Sequence, residues 1–160
     1  GGWGGGAILT HCVSACPHPF SSFNVLGFDD ITPLSAALEK LTTLQTLNLS
    51  FNGLGFESAI SFSWALNKLT TLQTLNLRGN ALGPKGATSL AEPLANLVQL
   101  ETLHLWDTNL GLQGAAVLFP ALAGLPRLKY LDLRWNGIQG QAKADLRASQ
   151  FHTKGLYISF

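Results

Sequence analysis

The sequence predicts an α/β solenoid, a fold in which strand–turn–helix units stack one on the next with their strands parallel. Two observations lead to this class. A nine-residue pattern with leucine at its first, fourth and sixth positions recurs every 28 residues, over Leu44–Asn52, Leu72–Asn80, Leu100–Thr108 and Leu128–Asn136. After each pattern, the spacing of apolar residues changes from alternation, which is typical of a strand, to the intervals of a helix. A repeat of this length indicates units that bury their apolar faces against one another.

The repeat divides the chain into a short leading segment and one repeat domain. Residues 1–23 do not fit the register and open with Gly-Gly-Trp-Gly-Gly-Gly, so we expect a flexible or non-repeat segment there. The repeat domain is expected over 24–160, with a half-repeat at 24–43, full repeats at 44–71, 72–99, 100–127 and 128–155, and the start of a further strand at 156–160. The chain contains no methionine, and we interpret it as a fragment of a longer protein.

Each unit should contain one short strand and one helix. In the half-repeat the helix is expected to run from Asp30 to Leu41. Pro84 suits a first helical turn, where spare N–H groups are present in any case. Pro93 and Pro120 lie further along, and we expect them to bend or shorten their helices, because an internal proline removes a backbone hydrogen bond.

Asparagine at the ninth position of the pattern should have a structural role. The turn after each strand leaves backbone groups that cannot join the sheet and that are costly to bury unpaired. A carboxamide both donates and accepts hydrogen bonds, so stacked asparagines can pair with the turns above and below them. Asn24, Asn52, Asn80 and Asn136 fit this role. Thr108 interrupts the series, and because a hydroxyl replaces only part of the bonding, we expect a local distortion there.

These units resemble the leucine-rich repeats of the ribonuclease-inhibitor subtype, which also occur in NOD-like receptors and in the Ran GTPase-activating protein. The resemblance rests on the Leu-x-x-Leu-x-Leu-x-x-Asn core and covers about residues 24–150. It implies a partial horseshoe with parallel strands on the concave face and helices on the convex face. It also leaves open an alternative function, the activation or regulation of a small GTPase.

Composition argues against two classes of partner. Only 12% of the residues are charged, the formal net charge is +1, and the basic residues are dispersed. Binding to nucleic acid or to a membrane surface needs clustered lysine and arginine, so we expect neither.

No cofactor or metal site is expected. His11, Cys12, Cys16 and His18 lie close together, but their order interleaves the Cys and His pairs of a standard zinc motif. They also fall in the segment that does not fit the repeat.

A candidate binding surface lies on the strand positions that are free of the leucine pattern. We expect Arg78, Trp106 and Arg134 to form one row across neighbouring strands, with Trp135 beside it, because parallel strands lie about 4.8 Å apart. Trp and Arg dominate the energetics of protein interfaces. The alternative is that these side chains stack on one another through cation–π contacts and only cover the sheet. The complete predicted site is Asn48, Ser50, Phe51, Asn76, Arg78, His104, Trp106, Asp107, Asp132, Arg134 and Trp135.

A catalytic interpretation is weaker. His104 and Asp132 occupy the same position on neighbouring strands and could hydrogen-bond, but no serine or cysteine nucleophile lies beside them and an open face does not exclude water. We therefore expect a non-catalytic, monomeric module for binding a protein partner, within a larger cytoplasmic scaffold or receptor.

Overall fold

The computed structural model describes residues 28–148 and 155–160, in which helices and strands alternate along the chain. Their bounds are α1 (Phe28–Leu38), β1 (Thr46–Asn48), α2 (Phe56–Leu66), β2 (Thr74–Asn76), α3 (Gly83–Ala95), β3 (Thr102–His104), α4 (Gly111–Ala123), β4 (Tyr130–Asp132), α5 (Gln141–Ala148) and β5 (Tyr157–Ser159). The strands form one parallel sheet in the order β1-β2-β3-β4-β5. This arrangement confirms the predicted α/β solenoid.

The register of the sheet follows the sequence repeat. Leu47 pairs with Leu75, which pairs with Leu103, which pairs with Leu131, each 28 residues after the last. The final step is shorter, because Ile158 pairs with Leu131 only 27 residues earlier. The last unit thus has one residue fewer than the repeat predicts.

The leucines of the pattern form one continuous core between the sheet and the helices. Leucines at the fourth and sixth positions are buried in all four full units, and the helices add residues such as Leu90 and Leu118. Each fully buried leucine contributes roughly 1.5–3 kcal/mol of hydrophobic stabilisation relative to an exposed one. Because every unit contributes the same positions, the core has no break between units.

Two expectations about where helices end are wrong. Helix α1 ends at Leu38 rather than Leu41, whose N–H donates to the Leu38 carbonyl in a following turn, 2.9 Å away. Helices α3 and α4 contain Pro93 and Pro120, yet each has 13 residues, whereas α2 has 11 and no proline. Both prolines lie in or next to the last turn, where the loss of one backbone bond does not end the helix. Pro93 is also buried against the core.

Asparagines at the ninth position connect successive units, as predicted. The side-chain oxygen of Asn80 accepts hydrogen bonds from the N–H groups of Asn52 (3.1 Å) and Leu54 (3.0 Å) in the preceding unit. Its nitrogen donates to the carbonyls of Leu49 (2.9 Å) and Leu77 (2.7 Å). One side chain therefore satisfies four backbone groups from two units.

Asn136 repeats this arrangement one step further on. Its oxygen accepts from the N–H groups of Thr108 (3.2 Å) and Leu110 (3.0 Å), and its nitrogen donates to the carbonyls of Leu105 (2.6 Å) and Leu133 (3.0 Å). Asn52, Asn80 and Asn136 are all buried. Asn24 lies outside the described residues.

Thr108 interrupts the asparagine series, but its own turn is intact. Its hydroxyl donates to the Leu105 carbonyl at 2.7 Å, and its carbonyl accepts from the Gly83 N–H at 3.1 Å. The hydrogen bonds that are missing are those of the preceding unit. Within the described part of the chain, the N–H groups of Asn80 and Leu82 have no side-chain acceptor, whereas those of Asn52, Leu54, Thr108 and Leu110 do.

The asparagine series predicts a large effect for one truncation. Asn80→Ala leaves several buried backbone groups unpaired, and we expect the free energy of unfolding to fall by about 3 kcal/mol, since each such group costs about 1–3 kcal/mol. Urea denaturation measures the change. Asn96→Ala is the matched control, because Asn96 is exposed at the end of α3, and it should change stability by less than about 0.5 kcal/mol. Equal effects of the two variants would contradict the role assigned to Asn80.

The interruption at Thr108 predicts a stabilising substitution. Thr108→Asn supplies an acceptor for the N–H groups of Asn80 and Leu82, and we expect the free energy of unfolding to rise by about 1 kcal/mol. Thr102→Asn, on the outer side of β3, should give no such gain. The same urea titration compares the two, and a less stable Thr108→Asn variant would show that the interruption is not a defect in bonding.

Candidate functional site

The sheet presents its outward side chains on one surface, which we call the strand face. Side chains alternate along each strand, so Leu47 points into the core while Thr46 and Asn48 lie on the strand face. The parallel register then places equivalent residues of successive units side by side. Neighbouring outward residues are therefore held by the backbone hydrogen bonds of the sheet.

The eighth position of each unit has an unusual backbone. Phe51, Gly79, Asp107 and Trp135 all have positive φ angles, of 56°, 66°, 52° and 61°. Only glycine adopts this left-handed conformation without penalty, and other residues pay roughly 1–2 kcal/mol. Strain of this kind is concentrated at functional sites. Two aromatic residues, Phe51 and Trp135, are thus held where glycine would be more stable.

Four side chains form a continuous contact series across β1 to β4, which we call the aromatic row: Phe51, Arg78, Trp106 and Trp135. The Arg78 guanidinium carbon lies 3.7 Å from the centre of the Trp106 ring and 5.0 Å from that of Phe51. Trp106 meets Phe51 and Trp135 edge to face, with ring centres 6.1 Å and 6.3 Å apart. The absence of a side chain at Gly79 makes this packing possible, because a Cβ there would overlap the Phe51 ring.

The aromatic row has features of both interpretations of the sequence, a binding surface and a cation–π stack that covers the sheet. The cation–π stack that would merely cover the sheet is present between Arg78 and Trp106. Trp106 is half-buried by these contacts, but Trp135 remains 77% exposed. The stack therefore fixes the middle of the row and leaves a large apolar ring in solvent at its end.

Arg134 occupies the same position of its unit as Arg78 and Trp106, but its side chain turns to Asp132 instead of stacking on the rings. Its Nε donates to Asp132 Oδ1 at 2.9 Å and its Nη2 donates to Asp132 Oδ2 at 2.7 Å. Burial of the Asp132 carboxyl acts to raise its pKa, but the hydrogen bonds and charge of Arg134 outweigh that effect, so the pKa lies below its ordinary value. The carboxylate in turn raises the pKa of Arg134. Arg134 is held on its own strand as the counter-ion of Asp132.

His104 and Asp132 are neighbours without a hydrogen bond. His104 Nδ1 lies 4.0 Å from Asp132 Oδ2, and both carboxylate oxygens already accept from Arg134. Burial lowers the pKa of His104; Asp132 opposes this shift, and the charges of Arg78 and Arg134 add to it. The lowered pKa favours the neutral imidazole. The possible hydrogen bond between His104 and Asp132 does not form, so Asp132 does not orient the imidazole as a general base.

Two residues expected on the exposed surface are buried. Ser50 is 6% exposed and its hydroxyl donates to Asn48 Oδ1 at 2.7 Å. Asp132 is 2% exposed because Arg134 covers it. At the fifth position, Asn48, Asn76 and Asp132 each accept the N–H of the residue two further on, at 3.0 Å, 3.1 Å and 3.2 Å. These side chains hold the end of the strand, which is a structural role.

Two tyrosines belong to the strand face and were missed from the sequence. Tyr130 and Tyr157 occupy the third position of their units, their rings stack with centres 5.6 Å apart and planes 14° apart, and Tyr157 is 62% exposed. The His104 ring lies 5.3 Å from Tyr130. The sequence contained a signal for these two residues. The third position also points outward, and it changes from threonine in the first three full units to tyrosine in the fourth. The β3–β5 part of the face is therefore rich in aromatic rings.

No cluster of three or more His, Cys, Asp or Glu residues suited to a metal ion occurs among residues 28–148 and 155–160. His11, Cys12, Cys16 and His18 lie outside the described residues. In the same part of the chain, every helix is too short or too polar to cross a lipid bilayer.

Comparison with known proteins agrees with the repeat and the fold. The leucine-rich repeat family model matches residues 40–63, 68–91 and 125–141. A solved structure, the leiomodin-1 actin-binding site 2, is similar with a TM-score of 0.62 and 17% sequence identity over 81% of this chain and 77% of that chain. At that identity the likeness concerns the fold. No curated protein matches the sequence significantly. The chain therefore carries leucine-rich repeats and folds as an α/β solenoid built from them.

Proposed function

We propose that this chain is a non-catalytic module that binds a protein partner on its strand face, centred on the aromatic row. The observation that carries the proposal is Trp135, which is 77% exposed and has a φ of 61°. The left-handed φ recurs at the eighth position of every full unit, so it belongs to the turn and fixes the direction of the Trp135 ring. A large ring that the fold holds in solvent is typical of an interaction surface.

The geometry suits rigid recognition. Backbone hydrogen bonds of the sheet hold each outward side chain, and Arg78 fixes Trp106 through its stack at 3.7 Å. Binding therefore orders few groups, which reduces the entropic cost of association. Tryptophan, tyrosine and arginine are also the residues that contribute most to interface energetics. The strand face combines all three in Trp106, Trp135, Tyr130, Tyr157 and Arg78.

The finer assignments belong to the same proposal. The repeat length and clear helices favour the ribonuclease-inhibitor subtype, and we infer a monomeric segment of a larger cytoplasmic scaffold or receptor. The alternative of a small-GTPase activator finds no support in the comparisons. The leiomodin-1 structure is named for an actin-binding site, but a likeness of fold at 17% identity supplies no argument for actin as the partner here.

Trp135→Gly separates binding from stability. We expect partner binding to weaken about 30-fold, because loss of a hot-spot side chain costs about 2 kcal/mol. Stability should change by less than about 1 kcal/mol, since relief of the left-handed strain offsets the lost contact with Trp106. Affinity capture from an extract of the source cells, quantified by mass spectrometry, measures binding, and urea denaturation measures stability.

Trp64→Ala is the matched control for that experiment. Trp64 lies on α2 and is 68% exposed, so it removes an equally exposed ring from the helix side of the solenoid. Capture should be unchanged. If Trp64→Ala abolishes capture and Trp135→Gly does not, the binding surface is the helix side and the proposal is wrong.

Arg134→Ala should act on stability rather than on binding alone. It removes the counter-ion of the buried Asp132, so it should destabilise the fold more than Arg78→Ala does, because Arg78 forms no ion pair with a carboxylate among the described residues. The folded-state pKa of Asp132 lies below its ordinary value of 3.8. The stabilisation is therefore complete above that value and is lost as the pH falls through the folded-state pKa.

Urea denaturation at several pH values tests this role of Arg134. The difference between the wild type and Arg134→Ala should be constant near neutral pH and disappear as the carboxyl becomes protonated in strong acid. A difference that persists unchanged in acid would show that Arg134 contributes through packing and not through its ion pair.

A further inference from the structure

We propose that Asn136 is a site of spontaneous deamidation, which the fold suppresses while the fourth full unit is closed and which makes the opening of that unit irreversible. The inference goes beyond partner binding and needs no ligand. It follows from the residue after Asn136, from the hydrogen bonds of its carboxamide and from the groups that surround it.

The reaction depends on the residue that follows the asparagine, and Asn136 is followed by Gly137. The backbone N–H of the following residue loses its proton, and its nitrogen bonds to the carboxamide carbon Cγ. The side-chain nitrogen takes up a proton and leaves as ammonia, which completes a succinimide ring. Water then opens the ring to aspartate or isoaspartate. Glycine favours ring closure, because it has no side chain to hinder its nitrogen and its backbone is conformationally free.

Hydrogen bonds hold the carboxamide of Asn136 in the folded chain. Its nitrogen donates to the carbonyls of Leu105, Leu133 and Arg134, and its oxygen accepts from two backbone N–H groups of the preceding unit. Asn136 is also only 4% exposed, so water has little access to it. Ring closure requires the carboxamide to leave these partners, and hydrolysis requires water. The reaction therefore proceeds only when the unit opens.

The product does not fit the place that Asn136 occupies. A carboxylate oxygen in place of the side-chain nitrogen would face the carbonyl oxygens of Leu105 and Leu133, which lie 2.6 Å and 3.0 Å from that nitrogen. Carbonyl oxygens cannot donate, so a buried negative charge would lack partners on that side. Isoaspartate also lengthens the main chain of the turn. Because Trp135 directly precedes Asn136, the aromatic row loses its exposed end when this turn fails to close.

The conformation of the turn explains why a reactive pair of residues is present. Gly137 has a φ of 69°, in the left-handed region that favours glycine. Asn109 occupies the same position of the third full unit with a φ of 57°, and asparagine also tolerates this conformation. A Cβ at Gly137 would meet no atom beyond its chain neighbours within 4 Å. Gly137→Asn should therefore keep the turn and remove the glycine that favours ring closure.

Asn80 is a matched comparison within the same chain. It is buried and makes hydrogen bonds equivalent to those of Asn136, but it is followed by Ala81. Trypsin separates the two sites, because the peptides 79–85 and 135–143 each contain one asparagine.

The first test follows deamidation of the complete 160-residue chain at alkaline pH by mass spectrometry of these two peptides. In guanidinium chloride, 135–143 should deamidate at least about tenfold faster than 79–85, because only Asn136 precedes glycine. Without denaturant, deamidation of 135–143 should be at least about tenfold slower than in guanidinium chloride, because the unit is closed most of the time. Equal rates in either comparison would overturn the inference.

Gly137→Asn tests the chemical step and does not require a folded chain. In guanidinium chloride, residue 136 should deamidate at least about tenfold more slowly in this variant than in the wild type, and fragmentation of the peptide distinguishes positions 136 and 137. Gly140→Asn is the matched control, because Gly140 is a second left-handed glycine of the same peptide, and it should leave the rate at Asn136 unchanged. A Gly137→Asn rate equal to that of the wild type would contradict the proposed reaction.

Proteolysis under native conditions tests whether the modified unit stays open. A lightly deamidated sample is refolded by removal of the denaturant and treated briefly with trypsin, which releases 135–143 only from chains whose fourth unit is open. The proportion of deamidated peptide in the released material should be at least about fivefold higher than in a complete digest of the same sample. Equal proportions would show that the modified unit closes normally, and the inference would be wrong.

Discussion

Hydrogen bonds between equivalent residues of successive units hold the solenoid in one register, and the rest of the structure depends on them. The ladder of the sheet continues past the strands, with the Leu49 N–H donating to the Asn76 carbonyl and the Phe51 N–H to the Arg78 carbonyl, both at 2.8 Å. Asn80 and Asn136 extend this bonding into the buried turns. A slip by one residue would turn the leucines outward and unpair these amides at once, so only one alignment of the units is stable.

The same constraint explains why the fold could be predicted from the sequence. Each unit carries its own signal, an alternating strand followed by helical spacing, and four copies of that signal fix both the period and the direction of stacking. The structural role of Asn80 was also predictable, because a buried turn needs an amide at that place. The limits of the helices were less predictable, since the cost of Pro93 or Pro120 depends on where in the helix the proline lies and on what covers it.

The positions of the site residues could be predicted from the sequence, but the contacts of their side chains could not. Sequence places Arg78, Trp106 and Trp135 on neighbouring strands, and the structure brings them into contact. It does not indicate that Arg134 turns back to Asp132 instead, because the choice between a ring and a carboxylate depends on side-chain geometry that no periodicity encodes. Tyr130 and Tyr157 stand at the third position, where the first three full units have threonine, and tyrosine is common in strands in any case, so the sequence alone does not mark them as part of a binding surface.

The interruption at Thr108 affects how strongly the two ends of the solenoid are coupled. In a linear array, each unit is coupled only to its neighbours, so the weakest junction decides where the array opens first. The junction between the units that contain Asn80 and Thr108 lacks the asparagine bonds of the junctions on either side of it, and the stack of Arg78 on Trp106 crosses it on the strand face. A ligand that contacts both Phe51 and Trp135 would span this junction on the strand face. It would hold the two halves of the solenoid together where the buried asparagine hydrogen bonds are missing.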